Sequence, residues 1–474
     1  MPSNIIYPTE KEQERNRLLV IIEGASAKIV FNLTTGAFLV GLLKYMGASD
    51  EVCGYILAIP VLAAIIQVIS PIILEGLVYR KKIILIGAMV HRLLLSSIII
   101  ILLLPFSTQV KLLLTGIIFL ISNLANSFVT PAVSNMYISF VPQSIRGRYF
   151  GLRESYLLLS ATIVTLILGR VLDSFTAAGN EATGYIVVYA VIFIFTLINN
   201  VSFFLMKEVP MAHSNVKIKI SEVFSLPLKD KVFTKYFIML IIYNFGIQIA
   251  NAFYSVYLKS DLNMNYTIIT TFSLINAVVY IFSARLWGRF ADKNGWATTT
   301  MITIGILGIG HFIWYLAFEG SPLIIFLLVL AHIASGLSWS GINVSLFNLQ
   351  FDFTPNEKRI VYIGFSAAVS SFIGWIAALI GTQLVGLFGN KKILIGNAII
   401  NIKQLLFLAS SVLLFICSAY IWIFMMKRPK LKTDCNHKNI ENNPQEEFDK
   451  VEEVDKVETS SCQIPPEDSK ENHI

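Results

Sequence analysis

Long apolar stretches constrain the fold of this chain more than any other feature of its sequence. A helix needs about 20 apolar residues to cross the hydrocarbon core of a bilayer, and twelve stretches approach or exceed that length. Only 14% of the 474 residues are charged, whereas soluble domains carry about 25%. The sequence therefore predicts an all-α polytopic membrane protein with twelve transmembrane helices, at 18–43, 53–74, 83–104, 112–139, 154–174, 185–206, 234–258, 266–286, 298–318, 323–350, 360–388 and 400–426.

Positive charges between these stretches indicate which way the chain is inserted. Lysine and arginine are frequent in every second connection and at both ends of the apolar region. Loops rich in these residues stay on the cytoplasmic side. We therefore expect a multi-pass protein of the cell membrane with both termini in the cytoplasm. The other connections hold only Lys44, Lys111, Lys259, Lys391 and Lys392.

The longest connection divides the membrane region into two parts. We predict a cytoplasmic N-terminal segment at 1–17, six-helix bundles at 18–206 and 234–427, a cytoplasmic linker at 207–233 and an acidic tail at 428–474. From Thr433 onward the tail has twelve acidic residues, four lysines and no apolar periodicity, which is typical of disorder. We expect a solvated extension, with a regulatory contact as the alternative.

One pattern, P-x-x-x-R-x-x-Y-x-G, follows both the fourth and the tenth predicted helices. Its first copy begins at Pro142 and its second at Pro355, 213 positions later. Asn135 and Asn348, upstream of the two copies, are separated by the same interval. Five matched positions in equivalent loops indicate a duplication, which predicts two pseudo-symmetric bundles.

A charged turn lies between the eighth and ninth predicted helices, from Gly288 to Gly295. Its pattern G-x-x-x-D-K-x-G resembles the loop signature of the major facilitator superfamily (MFS). The resemblance implies two six-helix bundles with this loop on the cytoplasmic side. It also implies that helices one, four, seven and ten line a central cavity.

Two further segments, Glu75 to Lys82 and Pro142 to Gly151, are similar to segments of bacterial MFS proteins without an assigned substrate. The first keeps an acid and a basic cluster but lacks the glycine–aspartate frame. The glycine and proline signature of the family's drug antiporters is missing from the fifth helix. The resemblance therefore implies a transporter without naming its cargo.

Polar residues in helices one, four, seven and ten recur at helical spacing and share one face of each helix. Because the family places these helices around its cavity, the resemblance implies that the polar faces bind substrate. Contact between helices through polar residues is the alternative. The candidate substrate-binding residues are Lys28, Asn32, Thr35, Asn123, Asn126, Thr130, Asn244, Gln248, Asn251, Trp339 and Asn343, with His332 and Ser335 on the face of the last two.

Lys28 is the most specific of these candidates. It lies about ten residues, hence roughly 15 Å, inside the first predicted helix, too deep for the ammonium to reach the interface easily. We expect it to bind an anionic or zwitterionic solute. A structural ion pair is the alternative, but Glu23 is five residues away and poorly spaced for one. Glu23 is interpreted as a gate or interface charge near the cytoplasmic boundary, which leaves no acidic residue at the middle of any predicted helix.

His91 and Arg92 lie near the middle of the third predicted helix, and His311 near the middle of the ninth. The family places both helices at the periphery, so we interpret these residues as polar groups satisfied by their neighbours. Proton coupling through His91 or His311 is the alternative, because imidazole titrates near neutral pH.

Charged loop residues are expected to hold the cytoplasmic side closed in one conformation. Asp292 is predicted to cap the fifth helix near Gly151, and Glu75 the eleventh, since a helix start favours an anion. Arg285 or Arg289 is predicted to pair with Asp352. The alternative is that these charges only set the topology. The candidate gating residues are Glu75, Arg146, Arg285, Gly288, Arg289, Asp292, Lys293, Gly295, Asp352 and Arg359.

Several function classes lack their motifs in this sequence. There is no G-x-x-x-x-G-K-[ST], no H-E-x-x-H and no Ser-His-Asp constellation, and the four cysteines are scattered. We predict no catalytic residues, cofactor, metal or nucleic-acid partner. We expect a monomeric secondary transporter that moves a small organic solute, a metabolite or drug, by alternating access, with H⁺ or Na⁺ coupling and uptake or efflux left open. The alternative is a lipid-handling or sensor protein of the same fold.

Overall fold

The computed structural model describes residues 8–74, 77–210, 220–354, 359–389, 391–395 and 398–426. A 3₁₀ segment, Ala64–Val68, directly follows a helix that ends at Ala63, and a π-helical segment, Tyr257–Asp261, directly follows one that ends at Val256. The helices are α1 (Glu10–Leu33), α2 (Gly36–Tyr45), α3 (Asp50–Ala63), α4 (Ile69–Leu74), α5 (Lys81–Leu103), α6 (Thr108–Ser139), α7 (Arg146–Ala177), α8 (Glu181–Leu205), α9 (Ile220–Lys229), α10 (Lys231–Asn251), α11 (Phe253–Val256), α12 (Tyr266–Asn294), α13 (Trp296–Leu316), α14 (Ile324–Asp352), α15 (Arg359–Phe388) and α16 (Ile402–Phe424).

The predicted all-α membrane fold is confirmed. Within the described ranges, eleven helical segments are long and apolar enough to cross a membrane, and α1 with α2 makes a twelfth if this bent pair is one span. A helix satisfies its own backbone hydrogen bonds, which hydrocarbon cannot do. A short antiparallel hairpin, β1 (Lys392–Ile395) with β2 (Ala398–Asn401), is an addition to the predicted fold.

The first crossing differs from the single predicted helix at 18–43. α1 begins earlier, at Glu10, because Thr9 and Glu12 form a capping box at its start. It ends at Leu33, and α2 continues after a bend of 41°. Gly36 has φ +56° at this bend, a left-handed conformation that costs glycine least. The first crossing is therefore a broken helix.

The duplication that the sequence indicates is visible in the packing of both halves, which we define as α1–α8 and α10–α16. The Tyr149 hydroxyl donates to the backbone oxygen of Arg17 at 2.6 Å, and the Tyr362 hydroxyl donates to the Asp230 carboxylate at 3.2 Å. Tyr362 and Asp230 lie 213 positions after Tyr149 and Arg17. Each half thus ties its fifth crossing to its first at equivalent residues.

The two ends of the molecule are packed differently. We call the end with the starts of α1 and α10 the linker end, and the end with the starts of α3 and α12 the far end. One apolar cluster, which includes Leu42, Phe253 and Tyr266, joins both halves at the far end. Towards the linker end two clusters form, one around Phe140 in the first half and one around Phe233 in the second. The halves therefore share a core at the far end and have separate cores at the linker end.

Candidate functional site

A cavity of about 360 Å³ lies between the two halves. This volume is at the lower end of the range of roughly 300–1,000 Å³ for small-molecule sites. The cavity is lined by Lys28, Asn32, Thr35, Gly36, Ala37, Phe38, Leu158, Thr162 and Thr165 of the first half, and by Tyr254, Ser255, Leu258, Ile269, Thr270, Ser273, Asn276, Ala277, Trp314 and His332 of the second.

The break in the first crossing forms one wall of this cavity. Thr35 precedes α2, but its side chain makes no capping hydrogen bond, and its hydroxyl donates to the backbone oxygen of Phe31 at 2.7 Å. The backbone N–H groups of Gly36, Ala37 and Phe38 donate no hydrogen bond to any described residue. The first turn of a helix has unpaired N–H groups and a partial positive charge. The start of α2 therefore presents positive potential to the cavity.

Lys28 is half-buried on the same wall. Its ammonium lies 5.5 Å from the centre of the Phe31 ring. It makes no ion pair or hydrogen bond with a residue of the described ranges, and it is the one Lys, Arg, Asp or Glu among the lining residues. The cavity therefore holds an unbalanced positive charge.

Hydroxyl groups on α7 and α12 line the cavity with acceptors. The Thr162, Thr165 and Thr270 hydroxyls donate to backbone oxygens of their own helices at 2.7, 2.8 and 2.8 Å, and Ser273 does so at 3.2 Å. A hydroxyl that has donated its hydrogen retains lone pairs. These groups therefore offer oxygen acceptors to a molecule in the cavity.

An aromatic wall in the second half completes the site. The rings of Tyr254 and Trp314 have centroids 5.0 Å apart, and those of Trp314 and His332 are 5.5 Å apart. His332 Nδ1 lies 2.7 Å from the Leu328 carbonyl oxygen. Since a carbonyl only accepts, Nδ1 carries the hydrogen, and Nε2 of a neutral ring is an acceptor.

The predicted substrate-binding residues divide into two sets. Lys28, Asn32 and Thr35 line the cavity, together with His332 of the tenth crossing. The others do not line it in this conformation, and their role in binding stays a prediction. They are Asn123, Asn126, Thr130, Gln248, Asn244, Asn251, Trp339 and Asn343.

Most of this second set have hydrogen-bond partners nearby. Asn123 donates to the Phe119 carbonyl at 2.7 Å, and Thr130 donates to the Asn126 carbonyl at 2.7 Å. In the second half, Asn244 donates to Ser370 at 3.1 Å, Asn251 to Gln248 at 3.1 Å and Asn343 to Tyr280 at 3.1 Å. Trp339 packs against the apolar cluster around Phe233.

Residues of the fifth, eighth and ninth crossings line the cavity although the sequence did not single them out. They include Thr165 on α7, Thr270 on α12 and Trp314 on α13. Serine or threonine occurs in every predicted membrane helix of this chain, so the hydroxyl groups on α7 and α12 do not stand out. The bend at Gly36 and the close packing of α7 on α12 at the far end bring these crossings to the cavity.

Glu23 lies at the centre of a buried cluster in the first half. Its carboxylate is 3.3 Å from the Arg92 guanidinium and 3.8 Å from that of Arg153. Asn199 donates to it at 2.9 Å, and the Tyr137 hydroxyl also donates to it. The interpretation of Glu23 as a charge near the cytoplasmic boundary stays a prediction, but its carboxylate is buried and has partners from four other helices of the first half. Lys28 is consequently not paired with Glu23.

The two helix-centre histidines have polar neighbours. His91 Nδ1 lies 2.8 Å from the Ser122 hydroxyl, and His311 Nδ1 lies 2.7 Å from the Ser410 hydroxyl. Neither histidine lines the cavity, so proton coupling through them stays a prediction. Within the described ranges, no group of three or more His, Cys, Asp or Glu is placed to hold a metal ion.

The predicted gating contacts are not formed between described residues in this conformation. Asp292 is exposed, and nothing lies within 4 Å of a Cβ added at Gly151, its predicted partner region, or at Gly288. Arg285 and Arg289 are exposed and make no ion pair with a described residue. Asp292, Lys293, Gly295 and Asp352 line a separate cavity of about 250 Å³ at the linker end. These contacts remain predictions for a conformation closed at that end.

The three remaining predicted gating residues are Arg146, Glu75 and Arg359. Arg146 donates to the Val141 carbonyl at 3.2 Å within its own half. Glu75 lies outside the described residues, and so does the side chain of Arg359.

Polar contacts close the far end instead. Lys403 of the second half forms ion pairs with Asp50 of the first half and with Asp261 of its own half. Lys44 of the first half also pairs with Asp50. We call these four residues the far-end clamp. The sequence did not single them out, because they lie near the ends of separate crossings.

Further contacts join the halves beside the far-end clamp, among them a hydrogen bond from the Gln383 amide to the Tyr55 hydroxyl. Asp173 accepts hydrogen bonds from the Tyr266 and Thr267 N–H groups at 2.7 Å each, and so caps α12. The Tyr185 and Tyr266 hydroxyls are 2.7 Å apart. At the linker end no hydrogen bond or ion pair joins described residues of the two halves. Val68, at the end of the 3₁₀ segment that follows α3, packs against the apolar cluster around Phe233.

Comparisons with known proteins agree with this architecture. A point mutant of the nucleoside transporter NupG superposes with a TM-score of 0.65 at 14% identity, covering 86% of this chain and 100% of that one. The inward-open xylose transporter XylE from E. coli gives 0.61 at 14% identity, covering 90% and 97%. A bacterial homologue of the iron transporter ferroportin gives 0.62 in its inward-facing state, at 14% identity and covering 87% and 98%. At these identities the likeness shows a shared fold.

Two sequence comparisons gave different outcomes. Among curated protein sequences, none is significantly similar to this chain. In contrast, a family model described as the Major Facilitator Superfamily matches residues 24–378 and 236–443. These matches cover both halves of the molecule. The chain therefore belongs to the Major Facilitator Superfamily of membrane transporters.

Proposed function

We propose that this chain carries a small organic solute across the cell membrane through the cavity between its halves. Alternating access requires a central site that opens to one side at a time. The observation that carries the proposal is the cavity between the halves, which polar contacts close at the far end. The structure is then the conformation open towards the linker end.

The lining supports an organic solute as the cargo. The structurally similar proteins are described as a nucleoside transporter, a xylose transporter and a bacterial homologue of an iron transporter. In this chain the cavity combines an ammonium, hydroxyl acceptors and an aromatic wall, and no carboxylate lines it. That set suits a polar organic molecule. The mixed polar lining also favours solute transport over lipid handling.

We further propose that the linker end faces the cytoplasm, that the transporter acts as a monomer and that an H⁺ or Na⁺ gradient drives it. The distribution of Lys and Arg between the connections supports this orientation. Uptake of candidate solutes into proteoliposomes, under an imposed H⁺ or Na⁺ gradient, measures direction and coupling together.

Cysteine labelling tests alternating access before the solute is known. Ser273→Cys, made after the four native cysteines are replaced, introduces a thiol on the cavity wall. A membrane-impermeant maleimide should label it from the linker side, and from the far side once the far-end clamp is broken by Lys403→Gln. Ser283→Cys, on the same helix but buried outside the cavity, is the matched control and should stay unlabelled. Labelling of position 273 from one side only, under every gradient and in the Lys403 variant, contradicts the proposal.

A further inference from the structure

The charge and hydrogen-bonding pattern of the cavity assigns a class to its solute. We infer that the solute is an organic monoanion whose anionic group binds Lys28 and the start of α2. This inference rests on the proposed function. The rest of the molecule carries hydrogen-bond donors and packs against the aromatic wall of the second half.

The unbalanced ammonium is the first argument. Glu23 is the acidic residue closest in sequence to Lys28. Its carboxylate is already surrounded by Arg92, Arg153, Tyr137 and Asn199. A charge taken out of water is costly unless it is paired. When the carrier closes around its solute, Lys28 loses access to water. One negative charge on the solute balances it.

The break between α1 and α2 is the second argument. Gly36, Ala37 and Phe38, whose backbone N–H groups donate no hydrogen bond to a described residue, line the same cavity as Lys28. An anionic group there would accept hydrogen bonds from backbone N–H groups and from the ammonium. Asn32, one turn after Lys28, adds an amide donor to this wall. The first half therefore provides donors and positive charge at one place.

The second half and α7 offer the opposite pattern. The hydroxyls of Thr162, Thr165, Thr270 and Ser273 have donated their hydrogens to backbone oxygens, and His332 Nδ1 is bonded to the Leu328 carbonyl. These groups offer acceptors, so the body of the solute needs O–H or N–H donors to pair with them.

The size of the cavity and its aromatic wall complete the assignment. A volume of about 360 Å³ suits a single small molecule rather than a lipid or an oligomer. Tyr254, Trp314 and His332 provide ring faces against which an apolar or planar body packs. A hydroxylated or amide-bearing organic acid meets all these conditions.

A paired panel tests this class on the purified full-length protein. Each small organic acid, with hydroxyl or amide groups, is compared with its own uncharged primary amide by thermal shift and by direct binding. We expect acids to bind and raise the Tm, and their amides to bind far more weakly. In Lys28→Gln the acids that bind should do so roughly ten- to hundredfold more weakly, which is the usual effect of losing a charged hydrogen bond.

Two variants separate this result from a general loss of stability. Lys28→Arg keeps the positive charge and should retain most of the binding. Lys111→Gln removes a lysine of the same half whose ammonium donates to the Leu102 carbonyl outside the cavity, and should bind like the wild type. An uncharged or cationic solute that is transported and binds equally well to Lys28→Gln overturns the inference.

Transport assays separate this inference from the proposed function. If the acids bind in a Lys28-dependent way but are never carried by proteoliposomes under any gradient, the binding assignment stands and the carrier proposal fails. If a neutral solute is carried independently of Lys28, the carrier proposal stands and the monoanion assignment fails.

Discussion

At the scale of single residues, two charged groups on α1 have opposite surroundings. Glu23 has four polar partners from four other helices and is 3% exposed. Lys28, five positions later, has no such partner among the described residues. Their spacing sends the two side chains to different faces of the helix. The first therefore holds the bundle together, and the second is available to a ligand.

Neutralising Glu23 should destabilise the first half. Glu23→Gln leaves the buried Arg92 and the partly buried Arg153 without a counter-charge, a type of change that costs about 3–5 kcal/mol. The measurement is the Tm of the purified protein in detergent. Glu14→Gln removes an exposed carboxylate 3.8 Å from Arg17 and should leave the Tm unchanged. A Glu23→Gln protein as stable as the wild type would show that the cluster has another source of charge balance.

At the scale of secondary structure elements, glycines set how closely the two halves approach at the far end. A Cβ added at Gly41 on α2 would clash with the Tyr266 hydroxyl and lie 2.8 Å from the Tyr185 hydroxyl. A Cβ at Gly54 on α3 would lie 2.6 Å from the Thr382 hydroxyl. Small residues permit such close helix contacts in membranes. The closed far end therefore depends on these positions.

Gly41→Ala should disfavour the conformation closed at the far end. The two tyrosine hydroxyls are hydrogen-bonded to each other, so the added methyl must displace both. We expect faster labelling of Ser273→Cys from the far side. Gly116→Ala adds the same methyl where nothing lies within 4 Å and should leave the labelling rate unchanged. Equal rates in both variants would mean that the closed state tolerates the methyl group.

At the scale of the whole molecule, the far-end clamp can open without leaving a carboxylate unpaired. Lys403 bridges the halves, but Asp50 also has Lys44 from its own half, and Asp261 retains Lys403. Asn401 additionally donates to Asp261 at 2.7 Å. When the halves separate, each carboxylate keeps a lysine. This arrangement stabilises closure but keeps the cost of opening small.

The two lysines of the clamp should therefore have opposite effects. Lys403→Gln removes the bridge and should increase far-side labelling of Ser273→Cys, roughly tenfold or more. Lys44→Gln leaves Asp50 with only the bridging lysine, so opening would strand a carboxylate, and far-side labelling should fall. Changes in the same direction for both variants would contradict this account of the clamp.

Closure of the linker end should bring Asp292 close to Gly151, in the second turn of α7. Gly151 and Asp292 belong to opposite halves, and nothing lies within 4 Å of a Cβ at Gly151 in this conformation. The double variant Gly151→Cys with Asp292→Cys, without native cysteines and treated with an added oxidant such as copper phenanthroline, should form a disulfide. Its yield should increase when Lys403→Gln favours opening at the far end. A bond equally abundant with the intact clamp, or absent in both proteins, would refute the predicted gate.

The sequence by itself determined the membrane fold and the duplication, and it singled out Lys28 as a candidate binding residue. Apolar length, the 213-residue interval and a deep ammonium are local or periodic properties that need no knowledge of packing. Tertiary structure decided that the first crossing is broken at Gly36, that Glu23 is buried among four helices, and that crossings five, eight and nine complete the cavity. It also decided that Lys403 bridges the halves. These outcomes depend on contacts between residues far apart in the chain, and the geometry of the packed helices alone sets which of them meet.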